Sequence, residues 1–310
     1  MSLERALELA ERGRGMTHPN PVVGAVVTRG GEVIAEGWHE RKGGPHAEVV
    51  ALDAAGGRAR GATLYVTMEP CAHHGTTPPC TDAVLRAGVA KVVAGSLDPN
   101  PEARGGLEVL REAGVDVELE DSFAARAQNE AWRTWVSLRR PFVVLKLAQT
   151  LDGRVAVPGS SRWISGPDSR RRVHELRAQV DAVAVGMGTV RADDPQLTAR
   201  DVGAVSQPRR LVFGHGPSDL EVRDGPLADE LRALADEGVQ SLLLEGGPTL
   251  ATSFLRTGLV DKLMLFVAPE VAGKGLTFAP ELDDLVRLSR LTTERLGDDV
   301  LLTAYVHEPS

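Results

Sequence analysis

The feature that most constrains this chain is a histidine and a glutamate followed by the chain's two cysteines. His46 and Glu48 stand two residues apart in Pro45-His46-Ala47-Glu48, and Cys71 and Cys80 follow downstream. On its own, a His-x-Glu pair is usually a surface feature without a function, and cysteines are usually small buried hydrophobic side chains. Because all four fall in one short region, we predict a zinc site with the ligands His46, Cys71 and Cys80. Three protein ligands leave one position open, as in catalytic zinc sites.

The two predicted thiolate ligands are separated by eight residues, Ala72-His73-His74-Gly75-Thr76-Thr77-Pro78-Pro79. As an alternative, His73 or His74 could supply a fourth ligand, which would make the site closed and structural. Zinc deaminases usually have only two residues between their cysteines. We expect the wider loop of this chain to shape a substrate pocket.

The predicted site has the parts that hydrolytic deamination needs. Zinc lowers the pKa of bound water toward neutrality, and Glu48 could take that proton and deliver it to a leaving amine. Both cysteines are expected near helix starts, which favour the thiolate form. The pattern therefore predicts deamination of an amidine-like carbon in a heterocycle. A non-enzymatic zinc module is the alternative, but it leaves Glu48 beside an open metal position unexplained.

Length and composition set the wider frame. With 310 residues the chain is long enough for two domains, and 42% hydrophobic with 25% charged residues is ordinary for a globular protein. The net charge of -8 and the lack of a basic block argue against a nucleic-acid partner. The N-terminus shows no apolar signal core, and no run is long enough to span a membrane. Two cysteines in a metal-like setting indicate a reducing compartment, so we expect a cytoplasmic protein.

Alternating apolar strands and amphipathic helices predict an α/β fold. After an opening hairpin the pattern favours an α/β sandwich around a mostly parallel sheet. One continuous helix is expected over residues 122–138, and the break at Arg139-Arg140-Pro141 places a domain boundary there. The predicted domains are 1–140 and 141–310. The second repeats the alternation, with residues 201–225 as its least structured part.

Two glycine pairs follow apolar strands in the second half. Gly186-Met187-Gly188-Thr189 could be a dinucleotide loop, but Arg191 stands where the third glycine of that fingerprint would fall, so a tight turn is favoured. Gly246 and Gly247 precede a helix start, where exposed backbone N–H groups suit a phosphate.

Motifs along nearly the whole chain resemble the bifunctional riboflavin-biosynthesis deaminase/reductase family. In the first half they are His18-Pro19-Asn20-Pro21-Val22-Val23-Gly24, Gly37-Trp38-His39, Pro45-His46-Ala47-Glu48 and the run from Glu69 to Cys80. The wide cysteine spacing separates this family from cytidine and tRNA-adenosine deaminases. The resemblance implies a cytidine-deaminase-like first domain that deaminates 2,5-diamino-6-(5-phosphoribosylamino)-4-pyrimidinone.

The same resemblance implies which residues line the deaminase pocket. They are Asn20, His39, His73, His74, Asp98 and Asn100. One position departs from the family pattern, because Thr76 stands where a basic residue often contacts the substrate phosphate.

The second half resembles the family's reductase domain, whose fold is similar to dihydrofolate reductase. The motifs are Lys146 to Arg154, Ser161-Arg162-Trp163-Ile164-Ser165, Leu176-Arg177-Ala178, Ala192 to Thr198 and Glu245-Gly246-Gly247-Pro248. They imply reduction of the ribosyl group to ribityl by NADPH. The implied substrate residues are Lys146, Ser161, Arg177, Leu197, Arg200 and Glu245, with Asp193 also facing the sugar and base. The implied cofactor residues are Ala148, Trp163, Thr189, Asp193, Gly246 and Gly247.

A departure in the second half concerns the cofactor. The family usually has a longer segment between the strands near Leu211 and Leu243, and Phe213-Gly214-His215-Gly216 replaces its usual ending. This region would ordinarily help to hold the adenosine part of NADPH. The alternative to a bifunctional enzyme is therefore a deaminase whose second domain is degenerate or repurposed. The resemblance implies a small-molecule substrate, and we expect a homo-oligomer that binds neither nucleic acid nor membrane.

Overall fold

The computed structural model describes residues 2–73, 78–157, 163–278, 282 and 284–310. The chain divides into two compact units, Met1–Leu138 with Pro309–Ser310, and Arg139–Glu308. The first limit lies two residues before the boundary that the sequence suggests. Each unit has its own hydrophobic core.

Unit 1 alternates helices and strands after its opening helix and hairpin. Its elements are α1 (Ser2–Ala10), β1 (Gly24–Arg29), β2 (Glu32–Trp38), α2 (Ala47–Ala55), β3 (Thr63–Val66), α3 (Cys80–Ala87), β4 (Lys91–Ala94), α4 (Gly106–Glu112), β5 (Asp116–Leu119), α5 (Phe123–Gln128) and α6 (Glu130–Leu138). Short 3₁₀ turns lie at Glu11–Gly13 and Gly56–Ala59.

The sheet of unit 1 has the order β2-β1-β3-β4-β5. Strand β1 is antiparallel to both β2 and β3, whereas β3, β4 and β5 are mutually parallel. The hairpin is confirmed, and so is a mostly parallel sheet, because β2, β3, β4 and β5 run in one direction and only β1 runs against them. The tight Gly30-Gly31 turn accounts for the reversed direction of β1 relative to β2, since a turn this short can join only antiparallel strands.

Helices cover both faces of this sheet. Because side chains alternate along a strand, Ala25 and Val27 of β1 point to one face and Val26 to the other. The first face packs against apolar residues of α2, α3 and α4. The second packs against Leu3, Ala6 and Leu9 of α1. Unit 1 is therefore the three-layered sandwich that the pattern predicts.

The predicted helix over residues 122–138 is in fact two helices. Helix α5 ends at Gln128, and Asn129 (φ −117°, ψ 28°) lies outside the helical region before α6 begins. The amide of Asn129 binds the backbone of Val22 instead, at 2.9 and 2.8 Å. A tertiary contact thus overrides a run of good helix formers.

Unit 2 has a larger sheet and four helices in its described part. Its elements are β6 (Phe142–Thr150), β7 (Arg154–Ala156), α7 (Pro167–Arg177), β8 (Ala182–Gly186), α8 (Met187–Asp193), β9 (Arg209–Phe213), β10 (Glu221–Arg223), α9 (Leu227–Asp236), β11 (Ser241–Leu244), α10 (Pro248–Arg256), β12 (Lys262–Ala268), β13 (Leu276–Thr277), β14 (Ser289–Leu296) and β15 (Asp299–Tyr305).

The eight-stranded sheet of unit 2 has the order β10-β9-β8-β11-β6-β12-β15-β14. Strands from β10 to β12 are parallel, and β15 and β14 extend the sheet in antiparallel fashion. Parallel strands end at the same edge, so the segments after β6, β8 and β11 meet there. Leu231, Leu234 and Phe254 of α9 and α10 belong to the core built on this sheet.

Residues 201–225 contain more regular structure than the sequence suggests. Strands β9 and β10 lie in this stretch, and β10 is a three-residue edge strand paired with β9. Its sequence, Glu-Val-Arg, has two charged residues, so a search for apolar runs does not detect this strand. In this chain, the segment between the strands near Leu211 and Leu243, which is usually longer in the family, consists of the short strand β10 followed by α9. None of the helices in the described ranges has both the length and the apolar character needed to cross a bilayer.

Candidate functional site

The three predicted metal ligands converge in unit 1. His46 is the N-cap of α2, Cys71 follows β3, and Cys80 is the first residue of α3. His46 Nδ1 lies 3.1 Å from Cys80 Sγ and 3.7 Å from Cys71 Sγ. The backbone N–H of Cys80 donates to Cys71 Sγ at 3.4 Å. All three ligand atoms lie within 4.8 Å of one another, which suits one tetrahedral metal ion.

The three ligand side chains shift one another's pKa values because they lie so close together. The Cys80 thiol donates to Cys71, and with a smaller contribution from His46 this lowers the pKa of Cys71 to about 4. That hydrogen bond and burial together raise the pKa of Cys80. The same closeness to Cys71 raises the pKa of His46. The trio fits a divalent cation, because a cation would allow both thiols to ionise.

Glu48 lies on the first turn of α2, in the same pocket as the trio. Its side chain is buried, with 3% of the residue exposed, and burial raises its pKa. A glutamate kept from solvent with a raised pKa is suited to accept and return protons. Across the described ranges, no fourth residue joins the metal group, so the closed site with His73 is not formed. His74 lies outside the described residues.

A cavity of about 350 Å³ opens beside the metal ligands. This volume is in the range of small-molecule sites. It is lined by His46, Glu48 and Cys71 together with all five described pocket residues that the sequence suggests: Asn20, His39, His73, Asp98 and Asn100. The structure thus brings the predicted deaminase set into one place.

His39 is held as a neutral ring in this cavity. Its Nδ1 lies 3.0 Å from the carbonyl of Pro45, so the Nδ1 proton is donated there. Burial lowers the pKa of His39, which favours the neutral form. Its Nε2 is then an acceptor for the Asn20 amide at 3.4 Å. These contacts fix the ring and the amide relative to each other.

The cavity residues that were not predicted as functional include Glu69, Trp132 and Trp135. The carboxylate of Glu69 accepts hydrogen bonds from the backbone N–H groups of Asp98, Gly105 and Leu107 at 3.0–3.1 Å. It thereby ties the segment before Cys71 to the segment that holds Asp98. The two tryptophans stand three residues apart on one helix, which places them on one face, and this spacing is the signal that could have identified them.

A second cluster forms in unit 2 around Glu245, directly after β11. Arg177 donates from Nε to Glu245 Oε1 at 2.6 Å and from Nη2 to Oε2 at 3.0 Å. Lys146 Nζ on β6 lies 3.9 Å from Glu245 Oε2. Burial lowers the pKa of Lys146. Burial alone would raise the pKa of Glu245, but the two cations hold it below its ordinary value.

The segment around Thr198 joins this cluster. Arg177 Nη1 donates to the Thr198 carbonyl at 3.1 Å, and Arg200 Nη1 donates to Thr198 Oγ1 at 3.2 Å. Leu197 is buried and has a positive φ of 54°, a conformation that costs energy for a branched residue. Such strain is often found at ligand sites. His174, which sequence reasoning missed, lies 3.0 Å from the Thr198 carbonyl through Nδ1.

The two glycine turns are neighbours at the same sheet edge. A Cβ added to Gly247 would lie 3.4 Å from Thr189 Oγ1, and one on Gly246 would lie 3.2 Å from Leu250. Gly247 is the N-cap of α10, and no side chain in the described part of the chain caps it. Backbone N–H groups at a helix start, next to glycines that add no side chain, fit a phosphate of a dinucleotide.

The other predicted cofactor residues are Ala148, Trp163 and Asp193. Ala148 pairs with Phe266 across β6 and β12. Trp163 is 55% exposed with the Arg170 guanidinium 5.7 Å from its ring centre, and Asp193 is exposed at the end of α8. Roles of these three toward a cofactor stay predictions. Ser161 and Thr76 lie outside the described residues.

Comparisons with known proteins agree with this arrangement. Residues 2–96 match the cytidine and deoxycytidylate deaminase zinc-binding region, and residues 141–302 match the RibD C-terminal domain. The chain is 40% identical to the riboflavin biosynthesis protein RibD of Aquifex aeolicus, over 97% of this chain and 96% of that protein.

Solved structures give the same result. Acinetobacter baumannii RibD is 36% identical, with a TM-score of 0.85 over 98% of this chain and 97% of that one. The deaminase/reductase of Thermotoga maritima is also 36% identical, with a TM-score of 0.83 over the same shares of the two chains.

These matches confirm both predicted domain types. They extend over the full length, so they support both activities rather than a deaminase with an idle second domain. Zinc in the first domain and NADPH in the second are the corresponding cofactors. The chain therefore belongs to the RibD family of bifunctional riboflavin-biosynthesis deaminase/reductases.

Proposed function

We propose that unit 1 deaminates 2,5-diamino-6-(5-phosphoribosylamino)-4-pyrimidinone and that unit 2 reduces the ribosyl group of the product with NADPH. The printed name of the Thermotoga maritima relative, a diaminohydroxyphosphoribosylaminopyrimidine deaminase and 5-amino-6-(5-phosphoribosylamino)uracil reductase, supports both substrates. The single observation behind the first step is the cavity that brings Glu48 together with His46 and Cys71, whose ligand atoms cluster with that of Cys80.

In the first step His46, Cys71 and Cys80 would hold zinc, which when bound supplies Lewis-acid chemistry for attack by water. Glu48 accepts a proton and returns it to the departing amine, and its burial keeps the proton from leaking to solvent. Asn20 and His39 orient the heterocycle through the amide and the ring that contact each other. Asp98, Asn100 and His73 form the rest of the substrate-binding wall.

In the second step the charged cluster of unit 2 receives the sugar phosphate. The Arg177 guanidinium has five N–H donors, and its contacts with Glu245 and Thr198 use three of them. Two remain for a phosphate, and Arg200 lies close by through Thr198. Leu197 and Ser161 complete the proposed substrate set, while Lys146 and Glu245 face the sugar and base.

NADPH, when bound, supplies the hydride, and the protein aligns the two ligands. The Gly246 and Gly247 turn with Thr189 would receive a cofactor phosphate, since a side chain there would fill the space. Ala148, Trp163 and Asp193 are the further proposed contacts. The short β10 leaves less protein around the adenosine end, so we expect weak cofactor binding.

Beyond the small-molecule substrate, we propose a cytoplasmic homo-oligomer without nucleic-acid or membrane partners. The net charge of -8 supports the absence of a nucleic-acid partner. Six of the eight residues of edge strand β14 are exposed, and an open edge of this kind is suited to pairing with a second copy. Light scattering of the purified protein would show a mass above that of one chain if this is right.

The deciding experiment supplies the diaminopyrimidinone substrate and follows ammonia and NADPH separately. Ammonia release should precede NADPH oxidation, and the deaminated product supplied alone should support the second reaction. Ammonia without any NADPH oxidation would limit the function to deamination. If neither signal appears, the proposed substrate is wrong.

A further inference from the structure

The side chain of Asn129 forms a buried, two-point contact with the backbone of one residue. Its Oδ1 accepts from the Val22 N–H at 2.9 Å, and its Nδ2 donates to the Val22 carbonyl at 2.8 Å. Asn129 is 6% exposed and Val22 is 5% exposed. Because both backbone groups are buried, the amide satisfies a donor and an acceptor that water does not readily reach.

Val22 lies within a segment whose other residues line the deaminase cavity. The preceding Asn20 and Pro21 and the following Val23 all line the cavity. The carbonyl of Val23 accepts from the backbone N–H of His39 at 2.9 Å. The backbone that Asn129 holds is therefore the one that places the Asn20 amide and the His39 ring beside each other.

Asn129 also directly precedes a second group of cavity-lining residues, those of α6. It separates α5 from α6, and α6 begins at the next residue. Trp132, Trp135 and Val136 of α6 line the same cavity. One side chain thus joins the Asn20 segment to the helix of the two tryptophans, at a separation of 107 residues in the sequence.

We propose that Asn129 is a positioning residue that sets the width of the deaminase cavity. It does not line the cavity itself, and it acts through Asn20 and His39 on one side and the two tryptophans on the other. A planar heterocycle held between these walls must present one carbon to the metal trio and Glu48. A small change in wall spacing would misplace that carbon. The inference rests on the proposed deamination by unit 1.

The amide is the chemical group that this contact requires. A carboxylate at position 129 would keep an acceptor for the Val22 N–H but would put an oxygen against the Val22 carbonyl. An alanine would leave both backbone groups without their partner. Replacement should therefore release both walls while the metal ligands, which lie on other elements, stay in place.

The test compares Asn129→Ala and Asn129→Asp with the matched control Gln128→Ala. Gln128 is the neighbouring residue, and its amide donates to the Leu7 carbonyl of α1 and to Glu11 of the following 3₁₀ turn rather than to the Asn20 segment. For each variant we would measure bound zinc, melting temperature, deamination kcat and KM, and NADPH oxidation with pre-deaminated substrate.

We expect Asn129→Ala to lower kcat/KM for deamination by about tenfold to a hundredfold, the scale of a roughly 1 Å misplacement. Zinc should stay at one per chain, and NADPH oxidation should stay at the wild-type rate. Asn129→Asp should show a loss in the same direction, and it decides the question if the alanine variant fails to fold. Gln128→Ala should leave kcat/KM for deamination within threefold of wild type.

Two results would overturn the proposal. One is a lower melting temperature with kcat/KM for deamination within threefold of wild type, which would make Asn129 a purely structural residue. The other is loss of zinc in parallel with activity, which would mean that it acts through the metal ligands. Failure of the wild-type enzyme to deaminate would instead refute the proposed function of unit 1.

Discussion

Glu245 and Arg177 form a two-point ion pair, with Nε–Oε1 and Nη2–Oε2 distances of 2.6 and 3.0 Å. Their side chains are only 10% and 13% exposed, so the pair is screened little by solvent. The geometry suits the planar fork of an arginine and cannot be reproduced by lysine. The contact orients the carboxylate that Lys146 also approaches.

Replacement of Arg177 by lysine should weaken the reductase selectively. The ammonium loses the two-point contact and the spare donors, so the KM for the deaminated substrate should rise roughly tenfold. Ammonia release by unit 1 should not change. The matched control is Arg172→Lys on the same helix, because Arg172 pairs with Glu175 at 3.6 Å. An equal rise in KM for both variants would contradict a specific role of Arg177.

Serine at either cysteine position should remove zinc and deamination together. Cys71→Ser and Cys80→Ser each delete one thiolate of the three-ligand set, and two strong ligands rarely retain zinc. NADPH oxidation with pre-deaminated substrate should survive, because unit 2 has its own core. Metal analysis by mass spectrometry is the measurement. One zinc per chain in either variant would show that the ligand set is wrong.

Asp98→Asn should remove a pH dependence of stability. Burial raises the pKa of Asp98 to about 6, above its ordinary value of 3.8, with a smaller contribution from Glu69. The stabilising contribution of Asp98 is therefore fully present below pH 3.8, where the carboxyl is protonated. It is lost as the pH rises through about 6 and the buried carboxyl ionises.

The asparagine variant has no carboxylate to ionise and keeps an acceptor for the Asn100 N–H, which lies 2.8 Å away. The difference in melting temperature, variant minus wild type, should therefore be larger at pH 8 than at pH 4. The comparison requires thermal melts of both proteins at the two pH values. A difference that is the same at pH 4 and pH 8 would contradict the raised pKa.

The sequence predicted elements best where local signals agree with the tertiary structure. The opening hairpin is confirmed, since the Gly30-Gly31 turn between two strands is a strong local signal. The prediction of one helix over residues 122–138 was wrong at Asn129, because no local signal reports that an amide will bind the distant Val22 backbone. Strand β14 was missed because its residues are mostly exposed, so no alternation marks a buried face.

The site shows the same division. The trio of His46, Cys71 and Cys80 could be recognised because metal ligands require particular residue types at close spacing. Glu69 and the tryptophans of α6 could not, since their contribution depends on which elements the fold brings together. The Arg177–Glu245 pair joins residues 68 positions apart, so their contact also lies beyond local reasoning.

NADPH should bind weakly but remain competent. The family resemblance implies that the adenosine end of NADPH, which is remote from the hydride, binds near the short β10 and the turn at Gly214–Gly216. Loss of remote contacts raises the Michaelis constant more than it slows the chemical step. Titration of NADPH at saturating deaminated substrate should give a high KM with measurable turnover. The absence of oxidation at millimolar NADPH would favour a non-catalytic second domain.

The most direct test of the bifunctional account is Glu48→Gln, assayed with each of the two substrates in turn. The variant keeps all three metal ligands, so zinc should stay at one per chain, while loss of proton transfer should slow ammonia release by about a hundredfold or more. With the diamino substrate, NADPH oxidation should fall equally, because unit 2 receives no deaminated product. With pre-deaminated substrate, it should match wild type. Ammonia release within threefold of wild type, or NADPH oxidation from the diamino substrate at the wild-type rate, would contradict the account.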